Sequence, residues 1–480
     1  VNPSTLTPGT PAARTAVPGT PSITTQYLAR YRRAVGSAAD PDGPLPVTGA
    51  QRRFVLARRL APGGRPDVVP LFFAFPAGTV DLDRLRRAAG HLAARHPALR
   101  ARTEVLRAAP VQRLCAAEAL VERAAARPGE SAADALRREL ARWAPEGPPL
   151  RLFLADASKD RAPDDPRTDR DEPVELLALA LDHAVCDEQS LGRITADLTD
   201  AYRAGLGPAD VPQDLAAEEA QGYRDAVHLQ LAAEERASAP RSLAYWARRL
   251  ASVRTEAPRP PHPSRLATAG ATEPAWSADP AFPTHPAGAA RAVLPVAAGD
   301  SRAAAFPVLL GAAATAARAL YGPGPVPLFA YPWGGRPAAA PPVLGCFLNT
   351  VVHPALDGGP DEVTTRWWDD LDHADTPFDE VVHAARAASS PWSGKLDGML
   401  TFEDLHRRPP LALGGVEGRE VHVEGRPLRV PFAISVSYGS ELLVRAAWDR
   451  SAFSDAHAEE AFAALVGELH ARTGAMAPAL

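Results

Sequence analysis

The chain has 480 residues, 46% hydrophobic and 23% charged, with a formal net charge of −5. That size supports two or more lobes with substantial cores rather than one small binding module, and the scattered charges lack the basic stripe of a nucleic-acid footprint. The three cysteines form no C-x-x-C pair, so neither a disulfide framework nor a metal site is indicated, and no apolar run reaches the roughly 20 residues of a membrane span.

A cytoplasmic protein without a membrane anchor is therefore expected. In chain order, the Pro/Thr-rich segment 1–26 reads as a disordered arm, and 27–35 as a short helix. Thr48 is a helix N-cap candidate, with Gln51 three residues on to complete a capping box. A strand over 71–75 precedes an amphipathic helix carrying Leu82, Leu85, Ala89 and Leu92, which should stop at Arg95-His96-Pro97. Residues 136–154 supply a further helix and strand, and a charged loop over 158–172 follows.

The most informative stretch comes next. Residues 174–181 are mostly aliphatic and fit a buried strand, whereas Leu191, Ile194, Leu198 and Tyr202 recur at helical spacing. His183 falls at the corner between the two, where an imidazole is held rigidly at the core's edge with a pKa near neutrality. Asp187, four residues later, can brace the site.

After Tyr202 a helical connector leads to Tyr245-Trp246, and a Pro/Ala-rich loop is expected over about 257–288. The second half then alternates: a helix over 301–321, a strand over 327–331, one helix over 367–388, and strands over 399–402, 432–438 and 442–448. A last helix carries Phe462, Leu465 and Leu469. The pattern predicts an α/β (α+β) protein of two lobes, 27–205 and 206–480.

With these landmarks the chain resembles the condensation domain of nonribosomal peptide synthetases. The family's H-H-x-x-x-D-G pattern is represented by Asp182-His183-Ala184-Val185-Cys186-Asp187-Glu188, and S-x-A-Q-x-R by Thr48-Gly49-Ala50-Gln51-Arg52-Arg53. Arg95-His96-Pro97-Ala98-Leu99-Arg100 matches R-H-x-x-L-R, and Gly345-Cys346-Phe347-Leu348-Asn349-Thr350 matches G-x-F-x-N-T. Tyr245-Trp246 and Pro377-Phe378 match two further short motifs, so six occur in the expected order. Asp182 replaces the family's first histidine and Glu188 its glycine. Phe54-Val55 stands where an aliphatic-then-aromatic pair is usual.

The resemblance implies two chloramphenicol-acetyltransferase-like lobes in a V-shaped pseudo-dimer, with an active-site tunnel between them. It implies His183 as catalytic base or orienting group, Asp187 in a structural ion pair with Arg53, and Asp182, Glu188, Ser190 and Asn349 along the tunnel. Capping by Ser190 and a loop hydrogen bond by Asn349 are equally good readings. Glu188 either pairs with an arginine or attracts a cationic acceptor. The expected activity is that of a free-standing monomeric acyltransferase, joining an acyl thioester on the phosphopantetheine arm of a carrier protein, in trans, to an amine or alcohol, with no bound cofactor. A coenzyme A-dependent acyltransferase and a catalytically inactive recruitment domain are the alternatives.

Overall fold

The computed structural model describes residues 21–36, 43–60, 67–157, 174–253, 287–295, 302–322, 324, 326–423 and 428–474. The first half begins with α1 (Ile23–Val35), β1 (Leu45–Pro46), α2 (Gly49–Leu60), β2 (Val68–Pro76) and α3 (Leu82–Arg95). It continues with β3 (Ala101–Leu106), β4 (Ala109–Leu114), β5 (Leu120–Arg123), α4 (Ala132–Ala141), β6 (Leu150–Asp156), β7 (Val174–Asp182) and α5 (Glu188–Ala204). Helices α6 (Gln213–Ala237) and α7 (Pro240–Arg249) lead to the second half. There follow β8 (Ala287–Pro295), α8 (Arg302–Tyr321), β9 (Leu328–Trp333), β10 (Asn349–Pro354), α9 (Pro360–Leu371) and α10 (Phe378–Ala387). The chain then runs β11 (Gly398–Asp404), β12 (Ala412–Leu413), β13 (Val416–Glu417), β14 (Arg419–Val421), β15 (Phe432–Tyr438), β16 (Glu441–Asp449) and α11 (Asp455–Gly474).

Each lobe is built on one mixed sheet, ordered β14-β2-β7-β6-β5 in the first and β10-β9-β11-β15-β16-β8 in the second. The two-lobed α/β architecture is thus as expected. Strand β7 lies centrally, antiparallel to both β2 and β6. Its alternation explains why its sequence is apolar throughout: Leu177, Leu179 and Leu181 enter the main core, while Ala178 and Ala180 face the smaller core under α4. All five are fully buried, and each leucine contributes about 1.5–3 kcal/mol by leaving water. Helix α5 packs Leu191, Ile194, Leu198 and Tyr202 on the same core and stops at Gly205, whose φ of 69° needs no Cβ.

Several boundaries differ from expectation. Helix α1 starts at Ile23, where Ser22 accepts a hydrogen bond from the Thr25 N–H at 3.1 Å, so residues 23–26 belong to the first lobe and not to the arm. Residues 1–20 lie outside the described residues, as does the charged loop at 158–172. The Pro/Ala-rich loop over 257–288 also lies outside them up to residue 286, whereas Ala287 and Gly288 already pair in β8 with Asp449 and Trp448. The helix expected over 367–388 is two helices: α9 ends at Leu371, a turn spans 372–376, and Pro377 stands at the N-cap of α10.

The lobe boundary at 205/206 is not clean. Tyr223, Val227 and Leu231 of α6, and Val343, Phe347, Leu411 and Leu413 from further on, complete the first core. Strand β14 crosses back and pairs with β2, covering an edge whose N–H and C=O groups would otherwise lack partners.

Candidate active site at the corner between β7 and α5

Three hydrogen bonds fix the turn that carries His183. The His183 N–H donates to the Asp67 carbonyl at 2.8 Å, the Ala184 N–H to the Asp182 carboxylate at 2.9 Å, and Gln51 Nε2 to the Ala184 carbonyl at 2.8 Å. Gln51 also accepts from the Thr48 N–H at 2.9 Å, so the helix cap read from sequence simultaneously clamps the His183 turn. The imidazole lies 4.8 Å from the Phe54 ring at an interplanar angle of 31°. Its Nδ1 is buried and meets no acceptor in full hydrogen-bond geometry, the ring's polar backbone neighbours being the carbonyls of His183 and Cys186, which leaves Nε2 as the atom for proton exchange. Burial lowers the His183 pKa from 6.5, with the positive charge of Arg53 acting in the same direction, while the carbonyls of His183 and Cys186 and the charge of Asp182 oppose it. The ring is therefore neutral at pH 7 and can accept a proton.

Asp187 does not pair with Arg53. Its carboxylate receives Arg336 Nη2 at 2.6 and 2.7 Å and Nε at 3.2 Å, the Phe347 N–H at 3.2 Å, and both the N–H and the hydroxyl of Ser190. Both partners are nearly shielded from water, with 10% of the Arg336 and 2% of the Asp187 side chain exposed. Arg336 also donates to the Val343 carbonyl at 2.6 Å. The motif aspartate thus caps α5 and ties that helix to the segment after β9. Arg53 points elsewhere: Nη1 donates to Thr350 Oγ1 at 2.7 Å, and the guanidinium covers the Phe378 ring at 4.4 Å.

The remaining motif positions fall into place individually. Asp182, where the family has histidine, is paired with Arg58 at 2.5 Å and accepts from the Ala184 N–H. Ser190 closes the α5 capping box and accepts from the Gly345 N–H at 3.1 Å. Asn349 donates to the carbonyls of Ala374 and Thr376, a loop tie. Glu188 lies 3.6 Å from Arg408, a guanidinium shared with Glu403 and Glu420. Burial, reinforced by those two carboxylates and Asp187, pushes its pKa up to about 7 although 43% of the side chain is open. His96, paired with Asp197 at 2.8 Å, and His353, paired with Asp370 at 3.2 Å, are structural.

No family model matches the sequence, and no curated protein matches it. Solved structures do. The X-domain from teicoplanin biosynthesis superposes with a TM-score of 0.61 at 18% identity, over 92% of this chain and 97% of that one. The starter condensation domain of rhizomide synthetase, in complex with C8-CoA, gives 0.61 at 14% identity over 90% and 95%. The nonribosomal peptide synthetase FmoA3 gives 0.61 at 20% identity, over 93% of this chain and 44% of that longer one.

The chain has the condensation-domain fold. With it come the two chloramphenicol-acetyltransferase-like lobes of the V-shaped pseudo-dimer. Within that fold the sequence left three site residues unassigned. Arg336 sits in a Gly-Gly-Arg run whose only signal is an arginine after a strand. Phe54 is read from sequence as a departure from the pattern, yet it is the ring against His183. Gln51 is found as a cap but not as the residue that holds the Ala184 carbonyl.

Proposed function

We propose that this protein is a condensation enzyme, forming an amide or ester bond between an acyl thioester and an amine or alcohol. The observation that carries the reading is the neutral His183 imidazole, fixed at a strand-to-helix corner with Nδ1 enclosed and Nε2 free. As an amine attacks the thioester carbonyl, Nε2 accepts the proton leaving nitrogen. The tetrahedral oxyanion then collapses, the C–S bond breaks, and the thiolate takes that proton from the imidazolium. The products are an amide and a free thiol. Such proton transfer contributes about 10²–10⁴-fold, with alignment of the two reactants supplying further acceleration. Asp187 orders the loop through Arg336 and takes no part in proton transfer.

The donor is an acyl group on the phosphopantetheine arm of a carrier protein, and the acceptor a small amine or alcohol. The similarity to a domain solved with C8-CoA makes the coenzyme A thioester the natural comparison donor. Intact-protein mass spectrometry of acyl-loaded carrier, with acyl-coenzyme A in parallel, follows loss of acyl in the presence of a pool of amines and alcohols. Loss from the carrier with wild type but not with His183→Ala supports the proposal, and the mass of the released product names the bond. Turnover with acyl-coenzyme A alone replaces the carrier donor by coenzyme A. Carrier or partner-enzyme binding without turnover of either donor replaces catalysis by recruitment, a reading favoured by the similarity to an X-domain also solved in complex with OxyB.

A further inference from the structure

Three guanidinium groups gather beside His183, but only two have a carboxylate. Arg58 pairs with Asp182, and Arg429 pairs with Asp67. The aspartate that the motif would have given to Arg53 is taken by Arg336. Among the described residues no carboxylate lies within ion-pair distance of Arg53; its partners are a threonine hydroxyl through Nη1 and the face of Phe378. Among the described residues Nε and Nη2 meet no acceptor. The three charges act on one another as well: Arg429 is pulled down to about 10 by burial, with Arg53 and Arg58 adding to the effect.

A half-buried guanidinium with no counter-ion is costly, and a planar pair of free N–H donors fits a carboxylate in a two-point bond. Arg53 immediately precedes Phe54, whose ring contacts the imidazole, and its charge acts on His183. That effect of its charge on the imidazole is what links an anion held by Arg53 to the molecule that reacts at Nε2.

We propose that Arg53 binds a free carboxylate on the acceptor, which makes the acceptor an untethered amino acid and the product an N-acyl amino acid with its carboxyl group free. This rests on the condensation reading for the word acceptor; the carboxylate site itself does not.

The full chain is titrated by calorimetry with the standard L-amino acids, each compared with its own primary amide, which keeps the amine and side chain but removes the anion. Every pair is also run as acceptors with the acyl-carrier donor. Wild type should bind at least one acid about tenfold or more tightly than its amide. Arg53→Gln should erase that ratio, bringing the KM for the acid up to that for its amide. Arg53→Lys, which keeps the charge but loses the two-point geometry, should retain part of it and serves also if the glutamine variant does not fold. Equal binding of acid and amide throughout the wild-type series overturns the inference, as does an acid preference that survives in both variants. The two readings fail separately: carboxylate-selective binding without turnover of any donor removes the condensation activity but keeps the site, and turnover without carboxylate preference does the reverse.

Discussion

The exchange of ion-pair partner at Asp187 makes a quantitative prediction. Removing one member of a buried pair leaves the other charge stranded and costs about 3–5 kcal/mol. For Arg336→Met the cost should lie near the lower end, because the Ser190 N–H and hydroxyl and the Phe347 N–H still donate to the Asp187 carboxylate. Asp187→Leu adds the lost α5 cap, worth about 1 kcal/mol. Arg53→Gln forfeits one hydrogen bond and a ring contact but strands no carboxylate and relieves repulsion with Arg429, so about 2 kcal/mol is an upper figure. With a urea slope of about 3 kcal/mol/M, Arg336→Met should lower the unfolding midpoint by about 1 M or more. The decisive assay is a double-mutant cycle. Asp187 with Arg336 should show a coupling of about 1–3 kcal/mol, and Asp187 with Arg53 less than about 0.5 kcal/mol. Equal couplings, or a larger one to Arg53, would refute the assignment.

The other predictions concern the imidazole and its neighbours. NMR titration of the His183 ring should give a midpoint below 6.5, as burial dictates; a midpoint above 6.5 contradicts the neutral-base mechanism. Since the folded pKa is the lower one, the unfolded chain takes up this proton first. Stability should therefore fall as pH drops below 6.5 towards the folded value, and His183→Gln should remove that part of the slope. Glu188 behaves oppositely: its carboxyl, pushed up to about 7 by burial and by Glu403 and Glu420, keeps its proton in the folded state longer than in the unfolded one. Stability should decline between about pH 4.5 and 7, and urea midpoints for Glu188→Gln should show a flatter profile than wild type. Phe54→Leu, a change of shape in a well-packed site, should cost under about 1.5 kcal/mol yet move the His183 midpoint towards 6.5; an unchanged midpoint would show that the ring does not shield the imidazole. Leu179→Ala in β7 should cost about 2–5 kcal/mol in denaturant unfolding.

What could be read from the sequence follows a physical division. β7 and α5 carry strong periodic signals because each buries a continuous face, and the structure places them within a residue or two of expectation. The hairpin β3–β4 gave no signal, since its turn is Arg107-Ala108, with φ of 47° and 67° at residues that seldom mark such turns. β8 was hidden by composition. Its Gly288 is small because Trp448 occupies the space, where a Cβ would come within 2.1 Å of the ring, yet a Gly/Ala-rich run following a Pro-rich one reads as a loop. His183 could be found because it interrupts an apolar strand. The partner of Asp187 could not, because Arg52, Arg53 and Arg336 are equivalent as letters. Three-dimensional competition decides between them: Arg52 is taken by Asp379 and Glu234.

That competition also bears on what the motif residues signify. Asp187 caps a helix, accepts the Phe347 N–H and holds Arg336 across the junction with the second half of the chain, all of which a folded protein of this architecture needs whether or not it reacts. Its presence says little about catalysis. The imidazole is different: if His183 were only filling space, an enclosed Nδ1 without a well-formed hydrogen bond would be a cost offset only in part by the nearby carbonyls of His183 and Cys186, and an apolar ring against Phe54 would serve as well. The cost has a return only if the opposite nitrogen does chemistry. His183→Phe should accordingly abolish the proposed turnover while leaving the protein as stable as wild type or more so, and a clear loss of stability in that variant would make His183 a structural residue and remove this argument for catalysis.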